Sequence, residues 1–362
     1  MLPCLRYNQK IVISSLRLQN FRSYRDGSFE FDPGINIVVG PNASGKTNLL
    51  EAILVLCRGN SFRARDTELI SHKKSWARLE GFFDSSSRIV KIEELNNRAF
   101  KTFEIGGKAY KCLNIERTLP VIIFEPNHLQ LITRGPEQRR DYFDELLERT
   151  NLEFKSQSIA YRRALAQRNA LLKQGSQRAP KQLFAWNVRL SELGGKIAQA
   201  RQGLIDEINK TISKTYSGIA GKRYRVNLVY DSHFPAERYG SRMLAKLEAS
   251  AMADIERGFT AYGPHREDII CRLNDQQVGE TASRGESRSL VLALKIFELN
   301  LVEEVRGDPA IFLLDDVFSE LDGARRNALV NYLKNRQVII TTTDADAVIQ
   351  HFTAGPKLVA IK

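Results

Sequence analysis

Residues 40–47 read Gly-Pro-Asn-Ala-Ser-Gly-Lys-Thr, which fits the phosphate-binding pattern G-x4-G-K-[ST] without a departure. Gly40 and Gly45 let the backbone curl until its N–H groups point at phosphate oxygens. Pro41, Asn42, Ala43 and Ser44 complete the turn, and the positive end of a following helix adds to the attraction. Lys46 reaches the β- and γ-phosphates, and the Thr47 hydroxyl is an oxygen ligand for Mg²⁺. Far down the chain, residues 311–316 are four apolar residues ending in two carboxylates, Asp315 and Asp316. A buried parallel strand that delivers Asp to its C-terminal end is the usual second half of a nucleoside-triphosphate site. Asp315 is then placed to hold Mg²⁺, largely through water, and Asp316 to polarise an attacking water.

The elements that must position these groups can be read around them. The apolar run 35–39 is a strand, and Leu49, Leu50, Ile53 and Leu54 recur at helical spacing after the loop. Alternation predicts strands over 12–19 and 28–31 with a turn at Asp26-Gly27. Residues 20–24 between them read as a loop with an aromatic plug. Their place before the phosphate-loop strand makes Arg22 a candidate nucleotide contact. Residues 76–110 form an antiparallel meander with turns at Asn96-Asn97 and Gly106-Gly107, and 121–124 is another buried strand. Composition shifts at Gly135-Pro136. From 137 to about 216 the chain is a helical hairpin, broken only at 175–180 and dented at Gly194-Gly195, with arms each about 50 Å long. A strand over 224–230, a helix over 243–257 and a polar Gly-Pro turn over 260–268 follow. A periodic helix opens at 283–286, and 338–340 is one more core strand. The organisation is an N-terminal extension (1–10), a first head segment (11–135), a mainly helical arm (136–255) and a second head segment (256–362).

The 362 residues hold 54 Lys and Arg against 42 Asp and Glu, a net charge of +12. That excess points to a polyanion, most simply nucleic acid. The loop 58–65 and the arm arginines Arg139, Arg140, Arg162, Arg163 and Arg168 are candidate contacts. Cys4, Cys57, Cys112 and Cys271 are far apart without a C-x-x-C pair, which argues for a reducing compartment and against a disulfide framework or zinc site. With no long apolar run and no signal-peptide pattern, the chain reads as soluble and cytoplasmic, without a membrane partner. No acidic cluster beyond Asp315 and Asp316 offers the second metal of a nuclease.

The phosphate loop, the Ser-x-Gly-Glu helix start at Ser283 and the apolar-Asp-Asp strand followed by Ser319-Glu320-Leu321-Asp322 resemble the ATP-binding-cassette (ABC) ATPases. The subset is that of chromosome-maintenance (SMC) and double-strand-break proteins. Asn20-Phe21-Arg22, Gly263-Pro264-His265-Arg266 and Asp315-Asp316-Val317 bring the chain closer still to the bacterial RecF family, from residue 11 onward. The resemblance implies an α/β fold: an ABC-type ATPase head with mixed sheet plus an inserted α-helical arm domain. It implies ATP and Mg²⁺ on the loop of one subunit, closed over by Ser283, Arg284, Gly285 and Asp322 of a second. It further implies an ATP-dependent homodimer on duplex DNA and single-strand/duplex junctions, with weak DNA-stimulated ATPase activity as a timer. Recombinational repair, replication-gap recovery in the DNA damage (SOS) response and recombinase loading with RecR- and RecO-type partners belong to the same implication. Ala282-Ser283-Arg284-Gly285-Glu286 departs from the usual Leu-Ser-Gly-Gly-Gln, and Asp316 stands where Glu is common. Thr341, Thr342 and Thr343 stand where a switch histidine is expected, and no glutamine loop is identifiable, Glu125 being nearest. These departures fit slow hydrolysis. The alternative is a structural chromosome-maintenance ATPase without a recombinase-loading role, although the arm is short for that class. A transporter ATPase subunit fits neither the missing histidine nor the basic charge.

Overall fold

Helix α1 (Lys46–Arg58) buries Leu49, Leu50, Ala52, Ile53, Leu54, Val55, Leu56 and Cys57. A helix that is apolar on every side must be enclosed, and in the computed structural model two sheets share one core with it. The first is wholly parallel, in the order β14 (Lys357–Ala360), β3 (Ile35–Val39), β13 (Val338–Thr342), β12 (Ile311–Asp315), β8 (Val121–Phe124). Strands β8, β12 and β13 are buried along their whole length, as their unbroken apolar runs require. The second is antiparallel, in the order β2 (Tyr24–Glu30), β1 (Ile13–Phe21), β4 (Trp76–Phe83), β5 (Ser86–Leu95), β6 (Arg98–Ile105), β7 (Lys108–Tyr110). Buried Gln337 ties β1 to the entry of β3: its Nε2 donates to Ile13 O at 2.7 Å and to Asp32 O at 2.9 Å.

The structure describes residues 11–83, 86–174, 179–352 and 355–361, so the expected extension over 1–10, with Cys4, lies outside them. The chain divides into two compact units, Met1–Leu129 with Glu298–Lys362, and Gln130–Phe297. Within the first, the meander over 76–110 forms, its Asn96-Asn97 turn taking the left-handed backbone (φ 52° and 59°) that Asn tolerates. Two expectations change. Residues 20–24 are no loop: Phe21 pairs with Tyr24 across a tight hairpin turn, with Arg22 at φ 52°. Asp26-Gly27, read as the turn, lies inside β2 opposite Gln19 and Leu18. Burial of Leu16, Leu18 and Phe21 sets that register. Strand β14 escaped the sequence reading.

The second unit holds α2 (Pro136–Thr150), α3 (Phe154–Lys173), α4 (Ala179–Ala220), α5 (Tyr239–Ala249) and α6 (Ala251–Arg257) around a small antiparallel sheet. That sheet runs β11 (Gln276–Gln277), β10 (Asp268–Leu273), β9 (Val226–Asp231). After α7 (Val278–Thr281), helix α8 (Arg284–Arg306) begins in this unit. The hairpin carries a second break, at 151–153, which the sequence reading missed. There Asn151 Oδ1 accepts the N–H groups of Glu153 at 3.0 Å and Phe154 at 3.2 Å and starts α3. Gly194-Gly195 does not dent α4; it admits α5. A Cβ on Gly194 would lie 2.8 Å from Met243 Sδ, and one on Gly240 would lie 3.3 Å from Ser191 O. The helix read over 243–257 is α5 and α6, meeting at Ser250.

Of the five arginines read as candidate contacts in the arm, Arg139, Arg140 and Arg168 turn inward, and Arg162 and Arg163 are exposed. Arg139 pairs with Asp268 at 2.6 Å, and Arg168 with Asp254 at 2.8 Å, both of the latter side chains fully buried. Arg140 donates to Glu267 O at 2.7 Å, while exposed Arg162 reaches Glu148 at 3.5 Å. The Gly-Pro turn is equally built in. Gly263 sits at φ 128°, and Pro264 O accepts Arg201 Nη1 at 2.7 Å. His265 Nδ1 lies 2.7 Å from Tyr161 Oη, and its Nε2 lies 3.1 Å from Thr260 O. Buried Glu267 gathers Tyr230, Tyr239 and His233. Cys57 and Cys271 are buried and Cys112 exposed, all as free thiols. No helix among the described residues is long and apolar enough to cross a membrane.

Burial pushes the His265 imidazole down to about 4 from 6.5, against its bond to Thr260 O. Its folded-state value lies below the unfolded one. The neutral ring therefore stabilises the fold fully above pH 6.5, and that contribution, on the order of 3 kcal/mol, is lost as pH falls through 4. Thermal melts should lose midpoint between pH 6.5 and 4.5 more steeply for the wild type than for His265→Gln. Parallel slopes would contradict the buried neutral ring.

Candidate nucleotide-binding site

Strands β3, β13 and β12 are parallel neighbours in register, Ile340 standing beside both Ile37 and Leu314. Their C-terminal ends therefore open on one edge, where α/β sheets bind ligands. The phosphate loop leaves β3, Asp315 ends β12, and Thr341 of β13 lies between. Thr47 Oγ1 donates to Asp315 Oδ1 at 2.9 Å, joining two motifs 268 residues apart. Thr341 Oγ1 donates to the same oxygen at 2.8 Å and accepts the Asp316 N–H at 3.0 Å. One hydroxyl thus orients both acidic residues.

The loop has the form of an anion cradle. Gly45 caps α1 at φ 104°, and a Cβ there would lie 2.9 Å from Ser23 Oγ and from Tyr24 Oη. A Cβ on Gly40 would meet Ser44 Oγ and Ile361 O at 2.7 Å. Lys46 Nζ donates to the loop's own carbonyls, Gly40 O at 2.7 Å and Pro41 O at 2.8 Å. Ser44 Oγ is buried with no hydrogen-bond partner, and the first turn of α1 holds no acidic residue. An orphaned donor, an ammonium bonded only to carbonyls and a bare helix N-terminus fit a triphosphate. Thr47 and Asp315 are hard oxygen donors of the kind Mg²⁺ takes. Among the described residues no group of three or more His, Cys, Asp or Glu could hold a metal unaided; Mg²⁺ ordinarily completes its shell with phosphate and water.

Asp316 sits at φ 52° at the start of α9 (Val317–Glu320), and Ser319 Oγ donates to Asp316 O at 2.7 Å. Burial raises its carboxyl above the ordinary range. The hydrogen bond from Ser319 lowers it, Asp315 raises it, and Lys46 lowers it. The result is a stronger base than a free aspartate. Asp322 caps α10 (Gly323–Leu333), its Oδ1 accepting Arg325 N at 3.0 Å. In the second unit Ser283 forms a capping box at the start of α8. Its N–H and hydroxyl each donate to Glu286 Oε2 at 2.8 Å, and its Oγ accepts Glu286 N–H at 3.2 Å. Ser283 and Arg284 are exposed, and Gly285 is half-buried.

The bracing of the loop was missed by sequence. Glu51, one turn along α1 and fully buried, accepts Arg22 Nε and Nη2 at 2.9 Å, Ser61 Oγ at 2.5 Å and Arg63 Nη2 at 3.1 Å. Arg63 also reaches Asn48 Oδ1 at 2.6 Å, Asn48 Nδ2 donates to Ser23 Oγ at 2.8 Å, and Tyr24 Oη donates to Gly45 O at 3.0 Å. The β1–β2 turn is thereby fastened to the phosphate loop. Burial pushes Glu51 upward, but hydrogen bonds from Arg22, Arg63 and Ser61 hold it below the usual carboxylate range. The available signal was a lone carboxylate in the apolar run 49–56. Arg22, read as a nucleotide contact, is held here by Glu51.

The family model described as the RecF/RecN/SMC N terminal domain matches residues 12–356. A protein of Trichodesmium erythraeum named DNA replication and repair protein RecF is 32% identical, the match covering 92% of this chain and 93% of that one. Its namesake from Heliobacterium modesticaldum is 33% identical with the same coverage. Among solved structures, the recombination mediator protein RecF-ATPrS of the RecFOR pathway superposes with TM-score 0.87 at 27% identity, covering 98% of this chain and 96% of that chain. An SMC head bound to the C-winged helix domain of ScpA shares the fold at TM-score 0.51 and 15% identity, covering 96% and 94%.

Replacing Glu51 by Gln leaves two arginines beside a buried neutral amide. It should lower unfolding free energy by about 3 kcal/mol in denaturant titration. A change within about 0.5 kcal/mol would show that the bracing carries no weight.

Proposed function

The chain belongs to the RecF/RecN/SMC family of ABC-type ATPases, and within it to the RecF proteins, and from that premise we propose that it is an ATP-switched DNA-binding protein of recombinational repair. The observation that supports this reading is the junction of Thr47, Asp315 and Thr341, which joins the phosphate loop to the acidic strand on one sheet edge.

Bound Mg·ATP supplies the γ-phosphoryl bond whose hydrolysis resets the switch. Lys46 exchanges its two loop carbonyls for phosphate oxygens, and Ser44 gains the partner it lacks. Thr47 and Asp315 would hold the metal, with Thr341 fixing the Asp315 carboxylate. Asp316, its basicity raised by burial, takes the proton of the attacking water. Arg22, held by Glu51 on the flank of the loop, would reach the nucleotide from there.

The second half of the site comes from another copy. The exposed N-terminus of α8, with Ser283, Arg284 and Gly285, suits a partner's γ-phosphate, and exposed Asp322 joins the same closure. Glu286 already occupies the Ser283 hydroxyl and must release it, which fits a slow switch. ATP-dependent dimerisation on DNA, weak DNA-stimulated hydrolysis and help to a recombinase on single-stranded gaps through RecR- and RecO-type partners follow from this reading.

DNA affinity should rise with Mg·ATP and fall back with Mg·ADP; indifference to nucleotide would contradict the switch. Lys46→Ala should remove ATP binding by equilibrium dialysis. Asp316→Asn should keep binding but slow single-turnover hydrolysis by about 10²-fold or more. An unchanged rate would remove Asp316 from the chemistry.

A further inference from the structure

Nucleic acid is held first through its phosphates, and a protein cation serves a phosphate best where no carboxylate already holds it. In the second unit Arg139, Arg168 and Arg201 are committed to Asp268, Asp254 and Asp144. One face of α5 is different. Arg242 and Lys246 follow one another at i and i+4 beside the helix's buried stripe of Tyr239, Met243 and Leu247, and Arg238 precedes them at the N-cap. All three are exposed, and none makes an ion pair among the described residues. The acidic groups sharing the groove at Arg238 are Glu192 and Glu237, and Glu192 lies 3.5 Å from Arg189.

A second observation extends this face. The turn 259–266 buries Gly263 and Pro264 and engages both nitrogens of His265, yet it leaves Arg266 and Phe259 outward. Lys246 Nζ lies 4.6 Å from the centre of the Tyr262 ring, and the Arg266 guanidinium lies 4.8 Å from that of Phe259, which is 39% exposed. Cations and aromatic faces alternate, as on surfaces that take a nucleic-acid strand.

We propose that α5, its N-cap and the 259–266 turn form a DNA-binding face: Arg238, Arg242, Lys246 and Arg266 hold successive phosphates, and exposed Phe259 offers its ring to a base. The inference rests on the reading that the chain binds DNA, and supplies the surface. The Gly-Pro-His-Arg segment then divides its labour: three residues build the turn and Arg266 is the one presented. The i, i+4 rise of about 6 Å suits a polymer of regularly spaced charges, and the net charge of +12 selects an anionic one.

The test is fluorescence anisotropy of labelled single-stranded and duplex oligonucleotides with the full chain and Mg·ATP, across a salt series. The triple variant Arg242→Gln, Lys246→Gln, Arg266→Gln is compared with a charge-matched control on the exposed β6–β7 edge, Arg98→Gln, Lys108→Gln, Lys111→Gln. The face predicts a slope of log K against log salt shallower by about 2–3 in the first triple. It also predicts affinity lower by roughly 10-fold or more at moderate salt, with the control near wild type and ATP binding intact in both. Equal losses in the two triples, or none in the first, overturn the face, as does an equal loss of poly-glutamate binding. A wild type that binds no DNA overturns instead the functional reading beneath it.

Discussion

Thr47 and Asp315 are bound to one another through a hydroxyl and a carboxylate oxygen 2.9 Å apart, and the arrangement of the first unit follows from making that contact possible. The phosphate loop and the acidic strand can meet only if β3 and β12 end on the same edge, separated by the single strand β13. Parallel pairing in turn demands crossovers and strands buried on both faces, hence the unbroken apolar runs. Enclosure of α1 between two sheets then fixes the helix whose first turn carries Lys46 and Thr47. Glu51 extends the same logic one turn further. A carboxylate in so apolar a helix is tolerable only with its hydrogen bonds filled, and filling them pulls Arg22 and Arg63 to the flank of the loop.

Charge is handled differently in the two settings. Three buried groups are paired at short range: Arg168 with Asp254, Arg201 with Asp144, Glu51 with two arginines. Breaking any such pair strands the partner's charge. Outside, Arg238, Arg242, Lys246 and Arg266 are exposed and make no ion pair among the described residues, the setting on which the proposed DNA face rests.

Local pattern was enough where one residue type has one job. Gly40, Gly45, Lys46, Thr47 and the Asp315-Asp316 pair could be picked out as candidates because their patterns depend on spacing within a few residues, and the fold brings the two motifs to one edge. The tight turn at Arg22 was not, since an arginine at φ 52° expresses no propensity of its own and is imposed by the pairing of Phe21 with Tyr24. The break at 151–153 carries neither Gly nor Pro, and it arises from one Asn side chain capping the next helix. Gly194-Gly195 looks like a weakness until the partner helix is in view, and then it is a place of close approach. Strand β14 is four residues long and signals nothing until β3 offers it an edge. Arg22 and Glu51 were separated by 29 positions, and pairings of that range are set by the fold alone.

The proposed switch depends on the closure of two half-sites on one nucleotide. Solution mass by light scattering, with Mg·ATP, with Mg·ADP, and with Mg·ATP plus duplex DNA, tests it most directly. Closure predicts a monomer that becomes a dimer only with ATP and is held as a dimer on DNA. A mass indifferent to the nucleotide would contradict it and leave an ATPase whose halves do not meet.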